Sequence, residues 1–145
     1  MIELRDNLWR FYGLKNPRHV ICITTNGFIK KDGTAVMGRG CANEARSRIP
    51  GIAKILGLHI KFNGNVAAYL TPDVISFPVK HAWYEPADLA LIEESTSWLY
   101  KQAALNPETR FVLPRPGCGN GQLSYTQVRP LLVHLPDNVG VIDFK

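Results

Sequence analysis

The chain has 145 residues, 17 Lys/Arg against 12 Asp/Glu, and a formal charge of +5. Hydrophobic residues at 46% and charged residues at 20% exclude collagen, coiled coil and wholesale disorder, and the length predicts one domain, residues 1–145. No apolar run approaches the ~18 residues of a membrane span. Cys22, Cys41 and Cys118 are widely spaced with no CxxC pair, which argues against a disulfide framework and a structural zinc site, and for a reducing, cytoplasmic compartment (a host cytoplasm if the chain is phage-encoded).

The positive charge is concentrated. Residues 1–61 hold eleven Lys/Arg and four Asp/Glu, a net +7, and residues 62–145 hold six and eight, a net −2. A basic half suits an anionic partner, a nucleotide or a polynucleotide, and charge alone does not choose between them.

In chain order, Val20–Thr25 is a short β-branched run that reads as a buried strand. Residues 26–40, with Gly27, Gly33, Gly38 and Gly40, form a long loop leading into a helix from Cys41 to Arg46, which Pro50-Gly51 ends. Val66–Leu70 and Val74–Phe77 are two further strands. Residues 86–104 are the clearest helix, with Leu89, Ile92, Thr96, Leu99 and Ala103 on one face and Pro86 in the first turn. Arg110–Leu113 is a strand, residues 114–122 a second glycine-rich loop, about 127–135 a short helix and Val139–Phe144 a last strand. Alternation of this kind predicts an α/β sheet with helices on both sides. Trp9 and Phe11 read as core, and so does Trp98, which lies beside the apolar stripe of its helix.

The two glycine loops carry the chemistry. Asn26-Gly27 through Gly38-Arg39-Gly40-Cys41-Ala42 and Pro114-Arg115-Pro116-Gly117-Cys118-Gly119-Asn120-Gly121 each follow a strand and lead into a helical segment. In open α/β sheets ligands sit beyond the carboxyl ends of the strands. Glycines there let backbone N–H groups approach an anion, and a helix N-terminus adds favourable partial charge. Neither loop has the Gly-Lys-Ser/Thr of a P-loop or GxGxxG spacing. Two such loops facing each other would clasp a diphosphate from both sides.

At these residues the sequence resembles the macro domain family, the ADP-ribose-binding fold. The resemblance covers nearly the whole chain. It implies a three-layer α/β/α domain with a central mixed sheet, in which the first loop runs beside the distal ribose and the second wraps the phosphates. Ser76-Phe77-Pro78-Val79-Lys80 resembles the Phe-Pro-Thr-Lys stretch of lysine-type ADP-ribosyl glycohydrolases, in which the lysine attacks the anomeric carbon of that ribose. The implied catalytic residues are Lys80, acting directly or through a positioned water, and Asn26, orienting the sugar. The implied ligand-binding residues are Asn7, Gly27, Met37, Gly38, Arg39, Gly40, Gly117, Cys118, Gly119, Asn120 and Gly121. No cofactor is implied, and His19, His59 and His134 lack metal-ligand spacing.

Two departures matter. Where the terminal protein glycohydrolases carry an aspartate in the second loop, this chain has Gly121, as the DNA-directed and ADP-ribose-1″-phosphate-processing types do. The family's adenine-reading aspartate falls on Asn7, with Asp6 beside it. The expected function is a hydrolase that removes ADP-ribose from a modified protein or nucleic acid, or that processes ADP-ribose-1″-phosphate. A non-catalytic ADP-ribose-binding module and a nucleic-acid-binding domain using the basic half are the alternatives. Trp83 and Tyr84 read first as packing residues, with contact to a ligand as the second reading. The leaving group and the oligomeric state are not legible.

Overall fold

The computed structural model describes residues 1–144. Six strands form one sheet: β1 (Ile2–Arg5), β2 (His19–Asn26), β3 (Ala68–Thr71), β4 (Val74–Lys80), β5 (Arg110–Pro114) and β6 (Val139–Asp143). Their order is β1-β6-β5-β2-β4-β3. Every neighbouring pair is parallel except β3 with β4, which is antiparallel, so the sheet is mixed.

Alternation along the strands divides the core in two. Ile21, Ile23, Val112 and Ile142 point to one face, and Val20, Cys22, Phe111, Leu113, Val139 and Val141 to the other. The first face is covered by α1 (Gly40–Arg48), α2 (Ile52–Asn63) and a 3-10 turn at Leu8–Phe11, through Leu8, Trp9, Cys41, Ala45, Ile52 and Leu56. The second is covered by α3 (Leu89–Leu105) and α4 (Tyr125–Leu132), through Ile92, Leu99, Val128 and Leu132. This is the expected α/β/α layering.

The differences from the sequence reading are local. β1 and α2 were not read from the sequence. β1 is a four-residue edge strand with only Leu4 partly buried, too short to show alternation. In α2 the buried positions Ile52, Leu56 and Ile60 alternate with exposed Ile55, Leu58 and Phe62, which blurs the apolar period. α3 begins at Leu89 rather than at Pro86, because the Asp88 side chain accepts from the Ala90 amide and caps it there. Leu89 therefore sits at the helix mouth and is exposed, and Leu91 and Ser95 join the buried face instead. α4 starts two residues early because Ser124 and Gln127 form a capping box. Trp9 is buried, whereas Phe11 and Trp98 are only partly covered.

Candidate functional site

From β2 the chain crosses through α1 and α2 to β3 at one edge and turns back into β4, and from β5 it crosses through α4 to β6 on the other side. The loops leaving β2 and β5, which are neighbours, therefore diverge and leave a crevice at the carboxyl edge. That crevice is a cleft of about 650 Å³, within the usual range for a nucleotide-sized ligand. Its wall includes Thr24–Asn26 from β2, Val36–Ala42 from the first loop and α1, Val79 and Lys80 from β4, and Pro114, Arg115 and Gly117–Gly121 from the second loop.

Asn26 shapes the first loop. Its Nδ2 donates to the Val36 carbonyl at 3.0 Å and its Oδ1 accepts from the Phe28 amide at 2.9 Å, so one side chain ties both ends together. Asp32 takes the Thr34 amide and hydroxyl at the tip, and the Ala35 amide docks on the Ala53 carbonyl of α2. Met37 is buried beneath the loop. Gly38, Arg39 and Gly40 emerge to the surface. Arg39 stands at the N-cap of α1 without a side-chain cap bond, so the first amides of the helix, at Gly40, Cys41 and Ala42 on the cleft wall, have no intrahelical acceptor. They supply the partial positive charge that an anion wants.

The second loop turns on Gly117. With φ +77° it lies in the left-handed region, and a Cβ would stand 2.8 Å from Ile92 Cδ1 and 3.0 Å from Ala87 Cβ. Gly119–Gly121 follow as a 3-10 turn, and the Gly121 carbonyl accepts from the Ala87 amide at 3.0 Å. A side chain at Gly121 would meet Ala87 Cβ at 2.9 Å, so the absence of a carboxylate here is built into the packing. The two loops close on each other: a Cβ on Gly40 would lie 3.6 Å from Asn120 Nδ2.

Lys80 ends β4 directly beside Asn26, the last residue of β2. The register slips between Thr25 and Asn26, so that one step along β2 spans two along β4, from Pro78 to Lys80. A bulge of this kind re-aims a side chain at a sheet edge. Burial, and next the positive charge of Arg39, hold the Lys80 amine below the ordinary lysine value. Its Nζ donates to the Trp83 carbonyl at 3.5 Å. Cys118 is half-buried in the second loop, and burial pushes its thiol up, away from a thiolate.

Also lining the cleft, the Arg115 guanidinium lies 3.8 Å from the centre of the Tyr125 ring, with Asp143 Oδ2 3.8 Å from its Nη1. The Tyr125 hydroxyl donates to Glu3 at 2.8 Å, and burial together with that bond pushes it up to about 12.

Asn26, Met37, Gly38, Arg39, Gly40, Lys80, Gly117, Cys118, Gly119, Asn120 and Gly121 thus line one cleft. Asn7 and Gly27 are not on it. The Asn7 Oδ1 accepts from the Trp9 amide at 3.0 Å and caps the 3-10 turn. Gly27 donates its amide to the His81 carbonyl, with Asn65 packed against its Cα. Sequence reasoning missed Arg115, Tyr125 and Asp143 as wall residues. Arg115 lies inside the quoted loop motif, but only the fold brings Tyr125 and Asp143 to it. Trp83 lines the cleft half-exposed, with its ring set edge-on against Tyr84 at 5.4 Å. Among the described residues no three His, Cys, Asp or Glu side chains form a metal-ligand group, and no helix is long and apolar enough to cross a membrane.

Sheet order, layering and a carboxyl-edge cleft between two glycine loops define the macrodomain fold. The chain superposes on the macrodomain of Thermus aquaticus DarG with a TM-score of 0.73 at 21% identity, covering 99% of this chain and 97% of that one. It superposes on the macrodomain of Mycobacterium tuberculosis DarG with a TM-score of 0.71 at 23% identity, with the same coverage. Thermosipho africanus DarTG, solved in complex with ADP-ribose, matches with a TM-score of 0.68 at 19% identity over 87% of this chain, which spans 38% of the length of that one. No protein-family sequence model matches the chain, and no curated protein matches it in sequence.

Proposed function

We propose that the cleft binds ADP-ribose and that Lys80 releases this nucleotide from a modified macromolecule or from its 1″-phosphate. The observation that carries the reading is the meeting of both glycine loops and the Lys80 amine in one cleft. The likeness to a fold solved with ADP-ribose in Thermosipho africanus DarTG supports the ligand.

In this reading the pyrophosphate lies between the free amides at the start of α1 and the backbone of Gly117–Gly121, with Arg39 offsetting its charge. That grip sets the distal ribose against Asn26 and Lys80. Asn26 acts mainly by holding the loop, since both ends of its amide are already engaged. The neutral Lys80 amine forms a bond to C1″ as the bond from C1″ to the leaving atom breaks. The electron pair departs with that atom, which takes up a proton. Water then attacks C1″, restores the amine and frees ADP-ribose. A lowered lysine pKa supports this role, because only the neutral amine is a nucleophile.

Calorimetry with ADP-ribose, followed by turnover assays on ADP-ribosylated protein, ADP-ribosylated DNA and ADP-ribose-1″-phosphate, tests the proposal. Binding is expected, with turnover that Lys80→Ala abolishes. Native turnover by Lys80→Ala removes the lysine role. Binding without any turnover leaves a reader of ADP-ribose, a reading favoured by the bond that engages Lys80 Nζ with Trp83. No ADP-ribose binding, with salt-steep binding to DNA, overturns the whole proposal.

A further inference from the structure

α2 carries a second feature, away from the cleft. Ile55, Leu58 and Phe62 are 39%, 47% and 74% exposed on a helix whose opposite side is core. Their spacing of three and then four places them within about 60° of arc at 3.6 residues per turn. That is the a-d-a spacing of a helix–helix seam, and it puts Lys54 and Lys61 both at the flanking g positions. The two lysines therefore stand on the same flank, two turns or about 10.5 Å apart along the axis. The other flank is uncharged in its contacts: His59 Nε2 meets the Val66 carbonyl at 2.8 Å and its Nδ1 meets Asn63. Val66, 47% exposed, extends the apolar surface there. No carboxylate occurs between Glu44 and Asp73, so no acid on this stretch pairs the lysines, and Lys61 Nζ stands 5.5 Å from the centre of the Phe62 ring. No residue of α2 lines the cleft.

We infer that this face of α2 is a docking seam for an amphipathic helix of a partner protein that carries acidic residues one heptad apart. Charge complementarity chooses the occupant. A second copy of this chain sets lysine against lysine when antiparallel, and lysine against the His59 flank, which brings no carboxylate, when parallel, so neither arrangement pairs the cations. A lipid surface rewards cations along both borders of an apolar stripe, whereas here they follow one. A helix with Leu at its a and d positions and Glu on the flank facing Lys54 and Lys61 covers the apolar row and pairs both cations.

The probe is a synthetic three-heptad peptide with Leu at a and d and Glu at e and g, which at neutral pH repels its own kind. Titrated into the intact protein and followed by fluorescence anisotropy, it is expected to bind in the micromolar range. Leu58→Glu with Phe62→Glu should weaken it about tenfold or more, as should Lys54→Glu with Lys61→Glu. The lysine-reversed protein should instead take the same peptide with Lys in place of Glu. Circular dichroism and the unfolding midpoint of each variant should match the native protein, since all four side chains are exposed. Absence of binding overturns the inference, and so does equal affinity for native and lysine-reversed protein. Preference for vesicles of 30% phosphatidylserine over the peptide, or a dimer that Leu58→Glu with Phe62→Glu dissolves, overturns it too.

Discussion

Two glycines concentrate the tight packing of the cleft, and one lysine its proposed chemistry. Gly117 combines a left-handed φ with a Cβ position already occupied by Ile92 and Ala87. Gly117→Ala should lower the unfolding free energy by about 2 kcal/mol or more, read by urea denaturation. Gly121→Asp tests the missing carboxylate: with Ala87 Cβ 2.9 Å from the new Cβ, it should distort the loop and weaken ADP-ribose binding rather than create a second catalytic group. Lys80 makes a pH prediction with a definite sign. Its folded pKa lies below the ordinary 10.5, so the fold disfavours the ammonium form. Turnover through the neutral amine should climb as pH rises through that lowered value and then level off, in a pH–rate profile. The same sign means that the charged amine is a stability cost below the folded pKa, relieved as pH passes 10.5. Lys80→Gln should therefore lose turnover without losing stability at pH 7, a separation that a structural lysine would not give.

At the scale of elements, caps decide where the cleft-bearing loops start and stop. Asp88 caps α3 through the Ala90 amide and pairs with His81 Nε2 at 2.7 Å, next to Lys80 in sequence. These bonds, the His81 contact first, hold its carboxyl below the usual 3.8. Its contribution is present above the unfolded value and disappears as pH falls through the folded one. Asp88→Ala should cost about 0.5–2 kcal/mol at pH 7, and the difference from the native protein should vanish in denaturation curves taken in strong acid. The Asp88 amide also donates to the Val79 carbonyl, so the same residue joins α3 to the end of β4. A fall in kcat larger than the rise in KM is expected if this junction positions Lys80.

Across the whole molecule, the cleft joins elements from both ends of the chain, since Glu3 holds Tyr125 and Arg129 while Asp143 faces Arg115. A ligand that bridges the two loops should stabilise the fold as a unit. At one hundred times its Kd, ADP-ribose should add about 2.7 kcal/mol to the unfolding free energy, visible as a raised Tm. Hydrogen exchange should slow at both Gly38–Ala42 and Gly117–Gly121 in the complex. Protection of one loop alone contradicts a shared grip. Moderate salt should weaken this nucleotide far less than it weakens a polynucleotide, because few charges are neutralised.

By itself the sequence determined the alternation of strands and helices, the two glycine loops and the position of Lys80 at a strand end. These are local signals: β-branched runs, strong turn formers and a long helical period are set by neighbouring residues. The strand order, which makes the β2 and β5 loops neighbours, is a long-range property that no local pattern carries. It alone brought Arg115, Tyr125 and Asp143 together and left Asn7 and Gly27 off the wall. β1 escaped because its apolar content is too slight. α2 escaped because its outer face is as apolar as its inner one, and only the packed structure tells which of the two faces is covered.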